Sequence, residues 1–439
     1  MSERADSDPW EELRALPMGE RIELTDARGK RWIGTVVPRH EMSGERILPL
    51  KLASGYNVGV RVERGSRFRR LRAADAPAMR GPAPVAPTGS TVRDGPSVSL
   101  LTTGGTIASR IDYETGGVRP VRDESEILSF YPELRQGGRV RIVPVLDRLS
   151  EDIVPADWLR LAERVAAEFR DGARGVVIAH GTDTLSFTAA ALGFLLADLP
   201  GPVVVVGAQR SPDRPSSDGP SNLAAAVRVA RDGGFGEVVV VMHAGSSDER
   251  FAIHRASDVR KMHSSRRDAF ESRNATPLGA LDARGLHWDR APRAAATGPA
   301  RVDGPLDDRG GLLWSYPGLS PERAAAFAAG LRGVILSGTG LGHVGAAHLP
   351  WIREAIGRGS VVAMTTQCLA GNVDPFVYAT GRELQRAGVL YLGDLMPETA
   401  YAKLLWALGH ATDPRAVEAL MLSDVAGEFR WRHPAEARP

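Results

Sequence analysis

Apolar and polar positions follow two different rhythms along this chain. Between residues 18 and 62, the short β-rich runs MGERIELTD, RWIGTVV, ILPLKLA and YNVGVRV are broken by Gly, Pro and Asn turns. This rhythm predicts a small β-barrel module over residues 1–72. Residues 73–96 are rich in Pro, Ala and Gly and have no apolar period, as in a linker. From residue 97 strands and helices alternate. SVSLL at 97–101 reads as a strand and runs straight into Gly-rich sequence. In 156–170, Trp158, Leu161, Ala162, Val165, Ala166 and Phe169 fall on one helical face. GVVIA at 175–179 reads as a buried strand, followed by a helix from Thr184 to Leu196. PVVVVG, a helix over 221–231 and EVVVVM continue the alternation.

Continuous apolar strands between amphipathic helices predict a parallel sheet covered on both faces. The fold class expected is therefore α/β, with a larger domain over 97–295. A second, smaller α/β domain over 310–439 is predicted from the strands GVILSG, SVVAMTT and GVLYLG and from helices at 346–358 and 397–409. In such sheets ligands bind beyond the carboxyl ends of the strands. The loops after residues 101 and 179 are the first places to look for chemistry.

Composition narrows the class. The chain has 439 residues, 43% hydrophobic and 25% charged, as in a globular protein with real cores. Its net charge of +2 gives no overall field that marks a nucleic-acid or membrane protein. Of the 55 basic residues only four are lysines, Lys30, Lys51, Lys261 and Lys403, and the other 51 are arginine. A lysine retained against that bias points to chemistry that arginine cannot supply. The one cysteine, Cys368, makes neither an intrachain disulfide nor a cysteine metal cluster. No apolar run approaches the ~20 residues that span a bilayer, and the N-terminus lacks a signal-peptide core. A cytoplasmic protein with no membrane association is expected.

Strand 97–101 leads into Thr102-Thr103-Gly104-Gly105-Thr106-Ile107-Ala108-Ser109, and strand 175–179 into His180-Gly181-Thr182-Asp183-Thr184. Each loop offers hydroxyls, with glycines that let backbone N–H groups approach a developing oxyanion. Taken alone each motif is weak, because Thr and Gly are ordinary loop residues and Thr184 also suits a helix N-cap. The chain has no GxxxxGK[ST] phosphate loop, no HExxH metal motif and no GxSxG elbow.

The pair together resembles the asparaginase/glutaminase family of amidohydrolases. The resemblance implies Thr106 as nucleophile, with Thr182, Asp183 and a lysine completing the catalytic set. It implies substrate binding by Gly105, Tyr113, Ser150, Glu151 and Gly181. Glu151 replaces the glutamine common in plain asparaginases, which leaves both glutamine and asparagine open as substrate. Asp218-Gly219-Pro220, within 206–223, also matches the family and reads as a structural turn. A simple alignment with plain asparaginases puts His254 where their lysine falls. Lys261, in the RKMHSSRRDAF segment at 260–270, instead matches the D-subunit family of archaeal-type glutamyl-tRNA(Gln) amidotransferases.

That narrower resemblance covers nearly the whole chain, including MGERIEL and Gly55-Tyr56-Asn57-Val58-Gly59 near the N-terminus. It also includes Tyr378-Ala379-Thr380-Gly381-Arg382 and Met396-Pro397-Glu398-Thr399-Ala400-Tyr401. It implies a glutaminase subunit that passes ammonia to an E-type tRNA-binding subunit, which amidates Glu-tRNA(Gln). ATP and Mg²⁺ would act on that partner, and this chain would need no metal or cofactor of its own. It further implies a homodimer that joins its partner in a heterotetramer and meets tRNA through the complex. Two other readings stay open: a stand-alone asparaginase or glutaminase, and a non-catalytic RNA-binding scaffold.

Overall fold

The computed structural model describes residues 8–17, 19–36, 46–52, 57–71, 98–104, 109–111, 118–120, 140–210 and 217–430. The chain divides into two compact units. One holds residues 1–93, 109–121 and 210–217, and the other holds 94–108, 122–209 and 218–439.

In the first unit a short helix, α1 (Trp10–Arg14), precedes five strands. They are β1 (Arg21–Thr25), β2 (Arg31–Val36), β3 (Ile47–Leu52), β4 (Asn57–Arg61) and β5 (Arg67–Arg70). The strands form one antiparallel sheet in the order β4-β3-β2-β1-β5. One face buries Ile22, Leu24, Val36, Leu48, Leu50 and Val60 against Trp10, Leu13 and Leu16. Sequence periodicity did not announce α1, because five residues are too few to show a helical period. The 73–96 segment lies outside the described residues.

The second unit is built on an eight-stranded sheet. Its strands are β6 (Val98–Thr102), β7 (Val140–Pro144), β8 (Gly175–Ala179), β9 (Val203–Val206) and β10 (Val238–His243), followed by β11 (Arg250–Arg255), with β14 (Gly279–Asp282) and β15 (Gly285–Trp288) completing it. Between β11 and β14 a separate hairpin pairs β12 (Val259–Lys261) with β13 (Phe270–Ser272). The sheet order is β15-β14-β11-β10-β9-β8-β6-β7. The first five strands in sequence are parallel to one another. Every residue of β6, β8, β9 and β10 is buried, as the unbroken apolar runs require.

The sheet then continues antiparallel through β11, β14 and β15. These strands contain Arg250, His254, Gly279, Asp282 and His287, so no apolar run or strict alternation marks them in sequence. Helices α2 (Pro155–Arg170), α3 (Leu185–Leu195) and α4 (Gly219–Asp232) connect the parallel strands. On α2 the stripe Trp158, Leu161, Ala162, Val165, Ala166 and Phe169 is buried, as its spacing predicts.

The C-terminal block carries a smaller parallel sheet of β16 (Gly310–Trp314), β17 (Gly333–Gly338), β18 (Val361–Thr366) and β19 (Leu390–Tyr391). Helices α5 (Pro321–Ala328), α6 (Leu349–Gly357), α7 (Ala379–Arg386), α8 (Pro397–His410) and α9 (Pro414–Leu422) accompany it. The helix expected at 346–358 opens as a 3₁₀ turn, Ala346–His348, and becomes α-helical as Pro350 takes a first-turn position. Helix α8 is buried along nearly its whole length and meets α3 through Phe194–Trp406 and Phe187–Tyr401 ring contacts. Among the described residues no helix is long and apolar enough to cross a membrane.

Candidate active site

Strands β6 and β8 are neighbours, with Thr102 in register with Ala179. Their carboxyl ends therefore open side by side. Strand β7 lies on one flank of β6 and β8 on the other, which makes the end of β6 a switch point where loops diverge. Thr103 is fully buried and donates through its hydroxyl to the Ala179 carbonyl at 3.1 Å, joining the two loops at their roots.

The loop positions are sterically exacting. Gly104 has φ +93°, and a Cβ there would sit 2.6 Å from the Arg148 carbonyl oxygen. A Cβ on Gly181 would sit 2.8 Å from Cβ of Ser150. Ser150, Glu151 and Asp152 form a 3₁₀ turn, with Ser150 buried and Glu151 exposed. Thr184 stands at the N-cap of α3 but caps nothing with its side chain. Its hydroxyl instead donates to the Ser150 carbonyl at 2.6 Å, tying the turn to the HGTDT loop.

Lys261 ends β12, opposite buried Phe270 of β13. Its ammonium donates to Thr182 Oγ1 at 2.8 Å and to Asp183 Oδ1 at 2.7 Å. Thr182 is 8% exposed, and the Lys261 side chain is 13% exposed, while that of Asp183 is 69% exposed. A cation thus sits between a buried hydroxyl and a solvent-facing carboxylate at the mouth of the two loops. The C-terminal block braces this hairpin. Arg260 pairs with Glu398 at 3.0 Å, and the Thr399 hydroxyl donates to the Ser257 carbonyl at 2.8 Å. Both partners come from the Met396–Tyr401 segment at the start of α8.

His254 is placed differently. It lies on β11, 2% exposed, with Nδ1 2.8 Å from Ser272 Oγ. Burial pulls its imidazole down to about 4, so it is neutral at ordinary pH. His180 of the HGTDT loop behaves alike: burial brings it to about 4, although Nδ1 lies 2.6 Å from the Gly181 carbonyl. Asp218 is a structural anchor, as the turn reading expected. It accepts from the Gln209 backbone at 3.0 Å and from Asn222 at 3.1 Å. Asn222 leads on through His243 and Asp248 to Arg267.

The structure thus brings together Thr182, Asp183, Lys261, Gly181 and Ser150, with Glu151 beside Ser150 at its exposed edge. Gly105, Thr106 and Tyr113 lie outside the described residues. Sequence reasoning missed the roles of Thr184 and Glu398. Thr184 carried only a capping signal, and Glu398 only its place in a matched segment. Cys368 is a free, exposed cysteine. Among the described residues no group of three or more His, Cys, Asp or Glu side chains could hold a metal ion.

Three family models match the chain. The asparaginase N-terminal domain matches residues 97–294 and the glutaminase/asparaginase C-terminal domain residues 311–421. The GatD N-terminal domain matches residues 16–69. Over 414 residues the chain is 42% identical to the glutamyl-tRNA(Gln) amidotransferase D-subunit of Pyrococcus furiosus, covering 93% of both chains. The chain belongs to the D-subunit family of glutamyl-tRNA(Gln) amidotransferases. A second member, from Sulfolobus acidocaldarius, is 40% identical over 431 residues, 97% of this chain and 94% of that one. The asparaginase part of the family fold is recognisable in solved structures. The thermostable L-asparaginase from Thermococcus kodakarensis superposes with TM-score 0.70 at 34% identity, covering 76% of this chain and all of that one. L-asparaginase I from Vibrio cholerae gives TM-score 0.66 at 30% identity, covering 76% and 99%.

Proposed function

We propose that this chain is the glutamine-hydrolysing subunit of a Glu-tRNA(Gln) amidotransferase. The observation that carries the reading is Lys261 within hydrogen-bond distance of both Thr182 and Asp183. A threonine hydroxyl is a poor nucleophile until a neighbouring group takes its proton. Lys261 first passes a proton to the Asp183 carboxylate it touches. As a neutral amine it takes the Thr106 hydroxyl proton through Thr182 while Thr106 attacks the side-chain carbonyl of glutamine. Backbone N–H groups near Gly105 stabilise the oxyanion. As the tetrahedral intermediate collapses, the C–N bond breaks and the proton passes to the departing nitrogen, releasing ammonia. Water then attacks the Thr106 ester by the same route and frees glutamate. Ser150, Glu151 and Asp183 hold the substrate's α-groups, Tyr113 adds to substrate binding, and Gly181 leaves room for the Ser150 turn.

In this reading the chain uses no metal or cofactor. It acts in the cytoplasm as a homodimer joined to a tRNA-binding E-type subunit, which uses ATP and Mg²⁺ to activate Glu-tRNA(Gln). The narrower similarity supports this over a stand-alone asparaginase, because it includes the N-terminal module. Ammonia release should be measured on purified protein with glutamine and with asparagine, with and without the partner and tRNA. Release from glutamine that disappears in Thr106→Ala supports the proposal. Wild-type turnover in that variant rules out the nucleophile. Activity on asparagine alone, unaffected by the partner, favours the stand-alone enzyme.

A further inference from the structure

The N-terminal sheet has two faces of opposite character. Side chains alternate along each strand, and the register aligns them across strands. Ile22, Leu24, Val36, Leu48, Leu50 and Val60 point to the core. The other face runs from Arg67 and Arg69 on β5, through Arg21, Glu23 and Thr25 on β1, to Arg31, Ile33 and Thr35 on β2. It then continues through Ile47 and Pro49 on β3 to Gly59 and Arg61 on β4. Five arginines therefore share this face, and Glu23 is its one acidic residue among these positions.

Glu23 is already engaged from both sides. Arg69 donates to it at 2.8 Å, and Arg31 pairs with its other oxygen. Arg21, Arg61 and Arg67 make no ion pair among the described residues. The Arg31 and Arg69 side chains are 58% and 64% exposed even while paired. The face thus carries more positive charge than the +2 of the entire chain. A general excess of arginine does not produce that asymmetry, because elsewhere acidic residues offset it.

We propose that this face binds the phosphate backbone of RNA, and, resting on the function proposed above, that the RNA is the tRNA substrate of the complex. Neighbouring strands lie ≈ 4.8 Å apart, and alternate residues on one strand roughly 7 Å apart. The guanidinium groups therefore form a spaced array across as much as about 19 Å of sheet. Such an array suits a polymer with regularly repeating anions. Planar guanidinium groups pair with phosphate oxygens bidentately. The other positions named on this face are Thr, Ile, Pro and Gly, with no aromatic ring among them on which a base could stack. The contact is therefore to backbone, positioning the RNA without reading its sequence.

The test uses the full-length protein and an unmodified tRNA transcript. Arg21, Arg61 and Arg67 are replaced together by Gln, which leaves the Glu23 pairs intact. A control replaces Arg353, Arg386 and Arg415, which are exposed on the other unit and free of ion pairs among the described residues. Binding is followed by fluorescence anisotropy across a salt titration. The face variant should lose about three units from the slope of log K against log salt, one per phosphate contact. Its affinity at low salt should fall at least about tenfold. Its circular dichroism, Tm and glutamine hydrolysis should match wild type. The control should bind tRNA as wild type does. Unchanged tRNA binding in the face variant, or equal loss in the control, overturns the proposal. Loss of partner-subunit binding with tRNA binding intact also overturns it, by making the face a protein contact. Wild-type protein that binds tRNA through these arginines yet hydrolyses no glutamine refutes the glutaminase reading alone.

Discussion

The hydroxyl of Thr184 donates a 2.6 Å hydrogen bond to the carbonyl of Ser150, 34 residues away in sequence. This one bond sets the Ser150–Asp152 turn against the HGTDT loop, where Gly181 leaves no room for error. Thr184 is a positioning residue, so its loss should disturb substrate binding more than bond breaking. Thr184→Val should raise KM for glutamine by roughly tenfold, the worth of about 1.4 kcal/mol, with kcat within a few-fold of wild type. Thr184→Ser should restore KM. Steady-state kinetics on the three proteins decide it, and a Thr184→Val variant with unchanged KM would sink the assignment.

Lys261 and His254 should respond very differently to truncation. Lys261 touches Thr182 and Asp183, whereas His254 is neutral and bound to Ser272. Lys261→Ala should lower kcat by about 10²–10⁴-fold, as expected for a group that handles the nucleophile's proton. His254→Ala should leave kcat within about tenfold while lowering Tm, because it opens a buried site. The opposite pattern would return the lysine's role to His254.

Buried neutral histidines make stability depend on pH. In the unfolded chain His254 titrates near its ordinary 6.5, whereas in the folded chain it titrates at about 4. Between those values the unfolded state binds a proton that the folded state refuses. Stability is therefore unaffected by this group above pH 6.5 and falls as pH drops towards 4. At pH 5 the penalty is about 2 kcal/mol. Urea unfolding at pH 7 and pH 5 should show a smaller acid-induced loss in His254→Asn than in wild type. Equal losses in the two proteins would mean that His254 becomes protonated in the fold.

Lys403 forms a fully buried ion pair with Glu428 at 2.6 Å and also donates to the Ser423 carbonyl. Its ammonium stands 4.5 Å from the Phe429 ring centre. Burial lowers its pKa, and the Glu428 carboxylate partly restores it. Removing one partner of such a pair strands the other, so Lys403→Met should destabilise the protein by about 3–5 kcal/mol. The double variant Lys403→Met/Glu428→Gln should lose clearly less than the sum of its single variants. Strictly additive losses by chemical denaturation would mean that the two groups do not interact.

Much of this protein was legible in the residues alone. Buried parallel strands announce themselves as apolar runs because both their faces need apolar side chains, and helix α2 announces itself by a stripe of period 3.6. The Thr- and Gly-rich loops were legible because few residue types tolerate a tight approach of backbone to ligand. The scarcity of lysine flagged four positions and the RKMHSSRRDAF segment picked out Lys261, but only the tertiary structure showed what Lys261 and Lys403 each touch. One reaches a hydroxyl 79 positions away at the mouth of the site, while the other is locked in the core against the chain's own tail. The antiparallel strands β11, β14 and β15, the Thr184–Ser150 bond and the Arg260–Glu398 brace had no local signature. Periodicity records which side of an element is buried, not which distant residue lies against it. Those pairings depend on the closure of long loops and on the packing of whole elements. The fold supplies both, and no short stretch of sequence contains them.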